Sequence, residues 1–501
     1  MESKPVTKDV FAMRSGGILL PIFSLPSPHG IGTLGESARR FVDFLADAGQ
    51  RYWQILPVCP TSYGDSPYSA FSTFAGNPYF IDLDQLALDG LLEPSEIKAA
   101  GFAQSEGVDY ADLFAKRFPL LRRAFMRFEQ QPPEDFADFC ADNPWLEDYA
   151  LFMVIKDDHS GASWLDWPED LRYRWAEALE GVRRDHARDL EFWKCVQYLF
   201  YRQWSELKRY ANDRGVQIIG DLPIYVALDS VDVWAEPEQF QLDDQLRPTE
   251  VAGCPPDGFT ADGQLWGNPL YDWERMKRDG YAWWMERFRR HCEIYDVVRI
   301  DHFRGFEAYY AISYGDDTAR NGRWREGPGL DFFRAVERHV GKPPIIAEDL
   351  GFLTDGVRRL LEDTGFPGMK VLEFAFDSRE DSDYLPHNYT RRCVCYTGTH
   401  DNSTVLGWAQ CASPDDVAFA TEYLRATPKE GLNWAMMRGA WSSVADLAVV
   451  QMQDVLGLDD SARINTPSTV GENWRWRMKK GMCTDKLAAK LRREMEIYRR
   501  M

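Results

Sequence analysis

Eight short runs of β-branched and aromatic residues recur along the chain and are separated by stretches with helical spacing. The runs are centred near residues 18, 53, 217, 298, 345, 371, 394 and 449. Runs of this kind favour buried strands, and strands that alternate with helices are typical of parallel βαβ units. Eight of them predict a single α/β domain, a (β/α)8 TIM barrel, which accommodates a chain of 501 residues once long insertions are allowed.

Some connections between these strands are much longer than a barrel requires. We therefore expect largely helical insertions, with a helical subdomain at 84–210, an active-site loop and helix at 228–295, and helices at 402–446. Within the second insertion, residues 252–270 are predicted to form a long loop. It contains bulky apolar side chains, namely Pro255, Pro256, Phe259 and Trp266. Such a loop can cover a site and exclude water from it.

Charge and cysteine content limit the classes of function. Fifty-eight basic and 79 acidic residues give a net charge of −21, which argues against nucleic acid and anionic membranes as partners. The nine cysteines include no Cys-x-x-Cys pair, so we expect free thiols in a reducing compartment. The N-terminus lacks the apolar stretch of a signal peptide, and no run is long enough to span a membrane. We therefore expect a cytoplasmic protein.

The run Val297–Ile300 ends abruptly at an acid and is followed by a histidine and two aromatic residues. Because side chains alternate along a strand, Arg299 and Asp301 are predicted to project from the same side. A guanidinium beside a carboxylate at a buried strand end is suited to a functional site, although a purely structural ion pair has the same pattern.

Four acids occupy the ends of the third, fourth, fifth and seventh predicted strands: Asp221, Asp301, Glu348 and Asp401. Active residues of barrels lie at these carboxyl ends. Carboxylates that converge there repel one another, which separates their pKa values and favours acid–base and nucleophilic chemistry, as in retaining glycoside hydrolysis. The alternative is that each acid caps the following helix.

Two other readings stay open on the residues alone. A metal site is one, since Asp301, His302, Glu348, His400 and Asp401 are all competent ligands; no His-x-His, His-Glu-x-x-His or EF-hand pattern accompanies them. The second alternative is a non-catalytic glucan-binding barrel, which would use the abundant aromatic residues but would give the acids no role. No motif for phosphate binding is present.

Five motifs in order along the chain resemble the amylomaltase (4-α-glucanotransferase, disproportionating enzyme) family, which is related to the α-amylases. They are Tyr63-Gly64-Asp65-Ser66-Pro67-Tyr68, Gly220-Asp221-Leu222-Pro223, Arg299-Ile300-Asp301-His302-Phe303-Arg304, Ala347-Glu348-Asp349-Leu350-Gly351 and Thr399-His400-Asp401-Asn402. The resemblance extends from Gly17 to the Gly471–Arg477 stretch.

The resemblance implies Asp301 as the nucleophile, Glu348 as the general acid/base and Asp401 as the stabiliser of the transition state. It also implies substrate-binding roles for Tyr63, Asp65, Asp221, Trp266, Arg299, His302, His400 and Asn473. A packed structural histidine is the alternative for His302. The implied partners are a donor maltodextrin and an acceptor glucan, with no metal and no cofactor. The acids alone do not separate a transferase from an α-glucan hydrolase.

Overall fold

The computed structural model describes residues 13–103, 105–256, 261–351 and 353–501. Its strands, in chain order, are β1 Ser15–Leu19, β2 Tyr52–Gln54, β3 Gln217–Leu222, β4 Glu250–Cys254, β5 Gln264–Pro269, β6 Val297–Ile300, β7 Ala308–Ser313, β8 Arg323–Glu326, β9 Ile345–Ala347, β10 Gly368–Val371, β11 Cys393–Tyr396 and β12 Leu447–Gln451.

Eight of these strands form one parallel sheet in the order β10-β11-β12-β1-β2-β3-β6-β9. They are the eight strands that the sequence predicts. The backbone N–H of Ala347, at the end of β9, donates to the carbonyl of Pro367, just before β10, at 2.9 Å. This bond joins the two outermost strands and closes the sheet, so the predicted (β/α)8 barrel is confirmed.

Alternation along the strands separates an inner from an outer set of side chains. One buried cluster takes a residue from every barrel strand: Leu19, Tyr52, Ile219, Val297, Ile346, Met369, Val371, Val394, Tyr396, Leu447 and Val449. Their sequence neighbours, such as Ile18, Trp53 and Val298, belong instead to the large core shared with the helices. The barrel interior is therefore packed, and residues two positions after an inner residue point inward at the mouth.

The helices surround the barrel and fill two of the predicted insertions. They are α1 Glu36–Asp47, α2 Leu83–Leu88, α3 Pro94–Ala100, α4 Tyr110–Phe128, α5 Phe136–Asp142, α6 Trp145–Asp158, α7 Glu169–Arg172, α8 Ala176–Asp185, α9 Ala187–Asp213, α10 Val231–Ala235, α11 Trp273–Arg278, α12 Ala282–Ile294, α13 Gly329–His339, α14 Asp355–Thr364, α15 Val405–Cys411, α16 Pro414–Tyr423, α17 Leu432–Ser442, α18 Met452–Leu456 and α19 Asp485–Ile497. Residues 84–210 and 402–446 are thus mainly helical; that they are separate inserted units stays a prediction.

Local signals explain where the helices begin and end. The side chain of Thr354 accepts a hydrogen bond from the backbone N–H of Val357 and caps the first turn of α14. Gly365 ends the same helix with a φ of 66°, a left-handed conformation that glycine adopts without steric strain. Helix α14 therefore begins directly after Thr354 and ends directly before Gly365.

Residues 228–295 contain the helices α10, α11 and α12 and also strands; that they form an active-site insertion stays a prediction. Strands β4 and β5 lie in this region and pair antiparallel, and β4 also pairs with β7, which pairs with β8. Parts of both strands therefore fall within the span 252–270 that is predicted as a long loop. Gly253, Gly267 and Pro269 interrupt the alternating pattern that signals strands, which is why the sequence does not reveal them. Phe259 lies outside the described residues.

All nine cysteines are free thiols. Within the described ranges, no helix is both long and apolar enough to span a membrane.

Candidate active site

Strand ends bring the four predicted acids to one mouth of the barrel. Asp221 lies in the last part of β3, Asp301 directly follows β6, and Glu348 directly follows β9. Asp401 lies in the loop between β11 and α15. The mouth is the carboxyl end of the parallel strands, where the active sites of barrel enzymes are found.

Arg299 lies between two of these acids. It is the cross-strand partner of Asp221 in the β3–β6 register, and its Nη1 donates to both Asp221 oxygens at 2.8 and 2.6 Å. The same Nη1 lies 3.0 Å from Oδ1 of Asp301. Arg299 and Asp301 therefore do project from the same side of the strand. The side chains of Asp221 and Arg299 are 0% and 4% exposed, so each charge depends on its partner for compensation.

Tyr68 connects this pair to the opposite side of the mouth. Its hydroxyl donates to Oδ2 of Asp221 at 2.6 Å. Its ring stacks on that of His400, with centroids 5.1 Å apart and an interplanar angle of 12°. Trp474, which has a φ of 63°, lies against both rings at 5.8 and 6.0 Å. The aromatic group therefore positions His400 next to Asp401.

Glu348 is held by backbone donors. The N–H groups of His302 and Leu350 donate to its two carboxylate oxygens, each at 2.8 Å. The backbone of the same turn is also fixed, because the N–H of Phe303 donates to the carbonyl of Glu348 at 3.0 Å. This arrangement orients the carboxyl group relative to Asp301 without a neighbouring charged donor.

Asp401 is partly exposed at the mouth, where 42% of its side-chain surface is accessible. Oδ1 accepts a hydrogen bond of 2.6 Å from the amide of Asn465, and Oδ2 lies 3.4 Å from Nε2 of His400. Burial lowers the pKa of His400, which favours the neutral imidazole. The carboxylate therefore faces the mouth beside neutral partners.

Burial and mutual repulsion set the protonation of the acids. The pKa of Asp301 is raised from 3.8 to about 8: burial is the largest cause, Arg299 opposes it, and the nearby carboxylates of Asp221, Glu348 and Asp401 add to it. Burial also raises the pKa of Glu348, opposed by Arg299 and by the two backbone donors. Acids this close titrate as a group. Arg299 contacts Asp301 directly, so its positive charge favours the ionised form of that acid.

His302 and Trp266 form one edge of the mouth. Their rings meet edge to face at 4.8 Å. His302 has a φ of 50°, and burial lowers its pKa to about 3, so the imidazole is neutral. Its Nε2 is buried and has no hydrogen-bond partner among the described residues. A purely packed histidine normally satisfies both nitrogens, so this atom is available to a ligand.

The other predicted binding residues lie farther from the acids. Asp65 is half-buried; burial raises its pKa and the neighbouring Arg475 lowers it. The amide of Asn473 is engaged within its own loop, where it accepts from the N–H of Thr466 at 2.9 Å and donates to Thr469. Neither residue hydrogen-bonds to the four acids in the described part of the chain. The side chain of Tyr63 lies outside the described residues.

The metal reading requires a set of converging ligands. Among the described residues, no group of three or more His, Cys, Asp or Glu side chains is arranged to hold a metal ion. Instead, the acids contact Arg299, Tyr68, Asn465 and backbone N–H groups. This arrangement is suited to proton transfer and to nucleophilic attack.

Several functional neighbours were missed by sequence reasoning. Tyr68 lies inside a motif that was recognised, but its contact with Asp221 joins residues 153 positions apart. Asn465 contacts Asp401 across 64 positions. No local pattern marks either contact, because both depend on how the barrel loops converge.

Comparison with known proteins identifies the family of this chain. A sequence profile of the 4-alpha-glucanotransferase family matches residues 20–484. The 4-alpha-glucanotransferase of Clostridium butyricum is 48% identical over 483 residues, which cover 96% of this chain and 99% of that protein. The 4-alpha-glucanotransferase of Streptococcus pneumoniae serotype 4 is 50% identical over 493 residues, which cover 97% and 98%. The amylomaltase from Streptococcus agalactiae, solved in complex with acarbose, superimposes with a TM-score of 0.95 at 43% identity and covers 97% of this chain and 99% of its own. The chain therefore belongs to the 4-alpha-glucanotransferase family.

Proposed function

We propose that this protein transfers α-1,4-glucan segments from a donor maltodextrin to the 4-hydroxyl of an acceptor glucan or glucose, by double displacement with retention. One observation carries the mechanism: Asp301 is paired with the Arg299 guanidinium at 3.0 Å, whereas the hydrogen bonds to the Glu348 carboxylate from the described residues come from backbone N–H groups. Two acids in different electrostatic settings can divide the roles of nucleophile and proton donor.

In the first step, ionised Asp301 attacks the anomeric carbon of the donor sugar while protonated Glu348 gives its proton to the leaving glycosidic oxygen. The glycosidic bond breaks as the bond to Asp301 forms. The products are a glycosyl-enzyme ester and a shortened glucan with a free 4-hydroxyl. Arg299 keeps the attacking carboxylate ionised and oriented.

In the second step, Glu348 is ionised and removes the proton from the 4-hydroxyl of the acceptor. The acceptor oxygen attacks the anomeric carbon, the ester to Asp301 breaks, and Glu348 is protonated again. Asp401 stabilises the positive charge that develops on the sugar ring in both transition states, because its carboxylate faces the mouth. Two inversions at one carbon give net retention.

The remaining residues are proposed to hold the sugars. Asp221, Arg299 and His400 lie around the reacting ring, and His302 offers the free Nε2 described above. Trp266 and Tyr63 supply aromatic faces for stacking on pyranose rings. Asp65 and Asn473 are proposed to bind sugar hydroxyls, and Asn473 also holds the loop from Thr466 through a hydrogen bond of 2.9 Å.

The test is incubation with maltotriose. A 4-α-glucanotransferase produces glucose and longer maltodextrins while the total number of reducing ends stays nearly constant. A hydrolase with the same acids produces one new reducing end for each bond broken. A glucan-binding barrel without activity leaves maltotriose unchanged while retaining affinity for maltodextrins. Either of the last two results overturns the proposal.

A further inference from the structure

A second segment of the chain is hydrogen-bonded to the loop that carries Asp401. Arg463 and Asn465, in the segment that follows β12 and α18, contact residues 400–403 at four points. The Arg463 Nη2 donates to the carbonyl of Asp401 at 2.7 Å, and its Nη1 donates to Ser403 at 3.2 Å. The backbone N–H of Asn465 donates to the carbonyl of His400 at 3.1 Å.

The fourth contact reaches the reacting side of the loop. The Nδ2 atom of Asn465 donates to Oδ1 of Asp401 at 2.6 Å. Within the described ranges, no other side chain hydrogen-bonds to that carboxylate. The Nε2 atom of His400 lies 3.4 Å from Oδ2. With nearly half of the carboxylate exposed, packing alone does not fix its rotamer.

Asn465 is itself held rigidly. Its carbonyl accepts from Nε of Arg463 at 2.8 Å. Asp460 lies 3.9 Å from the same guanidinium and also accepts from the backbone N–H of Thr404 at 2.8 Å. The loop that begins at Thr466 is closed by Asn473. The amide of Asn465 is therefore oriented before any substrate arrives.

We propose that Asn465 is a positioning residue for Asp401: its amide fixes the orientation of the carboxylate. This inference rests on the proposed transferase function. The N–H donor occupies Oδ1, so Oδ2 is the oxygen directed to the sugar. A fixed geometry removes reorganisation from the transition state.

Two variants and one control test the proposal. Asn465→Asp conserves shape but replaces the donor by an oxygen, and Asn465→Ala removes the amide altogether. Ser461→Ala is the matched control, because the Ser461 hydroxyl in the same segment contacts only Asp459 among the described residues. Each protein is assayed with maltotriose over a range of pH, and its thermal unfolding midpoint is measured.

We expect kcat to fall roughly ten- to hundredfold in both Asn465 variants, the scale of a small misplacement of a reacting group. KM for maltotriose should stay close to that of the wild type, and Ser461→Ala should behave as the wild type.

Unchanged kcat in the Asn465 variants, alongside an active wild type, would overturn the positioning role and leave the transferase function intact. Loss of folding in both variants would assign Asn465 to stability alone. If Asn465→Ala fails to fold, the isosteric Asn465→Asp decides. An inactive wild type would instead remove the proposed function on which the inference rests.

Discussion

The Nη1 atom of Arg299 lies 3.0 Å from Oδ1 of Asp301 and also contacts both oxygens of Asp221. The positive charge of one guanidinium group thus compensates the negative charge of a buried carboxylate and that of the carboxylate proposed as the nucleophile. Asp221 is fully buried and is paired with this charge, while Asp301 is proposed to need it to act as a nucleophile. Arg299 therefore affects both the stability of the folded protein and the reactivity of Asp301.

Arg299→Met should destabilise the protein strongly, because it leaves the Asp221 carboxylate buried without its counter-charge. Removing one partner of a buried ion pair lowers the free energy of unfolding by about 3–5 kcal/mol. Urea unfolding measures the change. The control is Arg40→Met, whose pair with Glu36 is at the surface, with side chains that are 64% and 75% exposed; such pairs contribute about 0–1 kcal/mol. Equal effects of the two substitutions would contradict this role for Arg299.

Asp301→Asn should stabilise the protein, increasingly so as the pH rises. The pKa of Asp301 is raised in the folded state from 3.8 to about 8, so the folded protein holds this proton more tightly than the unfolded chain. The contribution of Asp301 to the free energy of unfolding is fully present below its pKa in the unfolded chain. It is lost as the pH rises through its pKa in the folded protein. Asparagine stays neutral and avoids that loss.

The gain from Asp301→Asn should therefore be small near pH 4 and grow towards about pH 8. Urea unfolding of both proteins at several pH values in this range measures it. An asparagine variant that is no more stable than the wild type at the upper end would show that Arg299 outweighs burial at this position.

Exhaustive chelation should leave the rate of maltotriose disproportionation unchanged, because the proposed steps use only side chains and the two sugars. The assay compares protein dialysed against a chelator with protein supplied with divalent cations. Activity lost on chelation and restored by a single metal would favour the metal-dependent alternative instead.

The sequence predicts the barrel because each of its strands is a compact run of β-branched or aromatic residues. It also predicts that Arg299 and Asp301 share a face, since alternation along a strand is a local rule. The sheet built from β4, β5, β7 and β8 escapes prediction because Gly253, Gly267 and Pro269 break that alternation. Residue patterns along the chain thus identify the eight barrel strands and the acids that follow them.

The surroundings of those acids depend on tertiary structure. Tyr68 reaches Asp221, and Asn465 reaches Asp401, only because loops from different strand ends meet over one mouth. The raised pKa values of Asp301 and Glu348 have the same origin, since burial and the proximity of other carboxylates are properties of the assembled barrel. A residue pattern can name the acids but cannot show which of them is paired with a cation.

The central claim is that Asp301 forms the covalent bond to the sugar while Glu348 moves the proton. Glu348→Ala lacks the proton donor, but an α-glucosyl fluoride has a leaving group that needs little protonation. This donor should still glycosylate the enzyme, and the ester should accumulate because no base activates an acceptor. The control is Asp301→Asn in the same background, which should take up no sugar.

Peptide mass spectrometry of Glu348→Ala after reaction with α-glucosyl fluoride is the most direct test of this account. The account predicts one added glucosyl group on the peptide that contains Asp301, absent from the Asp301→Asn control. A glucosyl group on another carboxylate, such as Asp401, would contradict the assignment of the nucleophile.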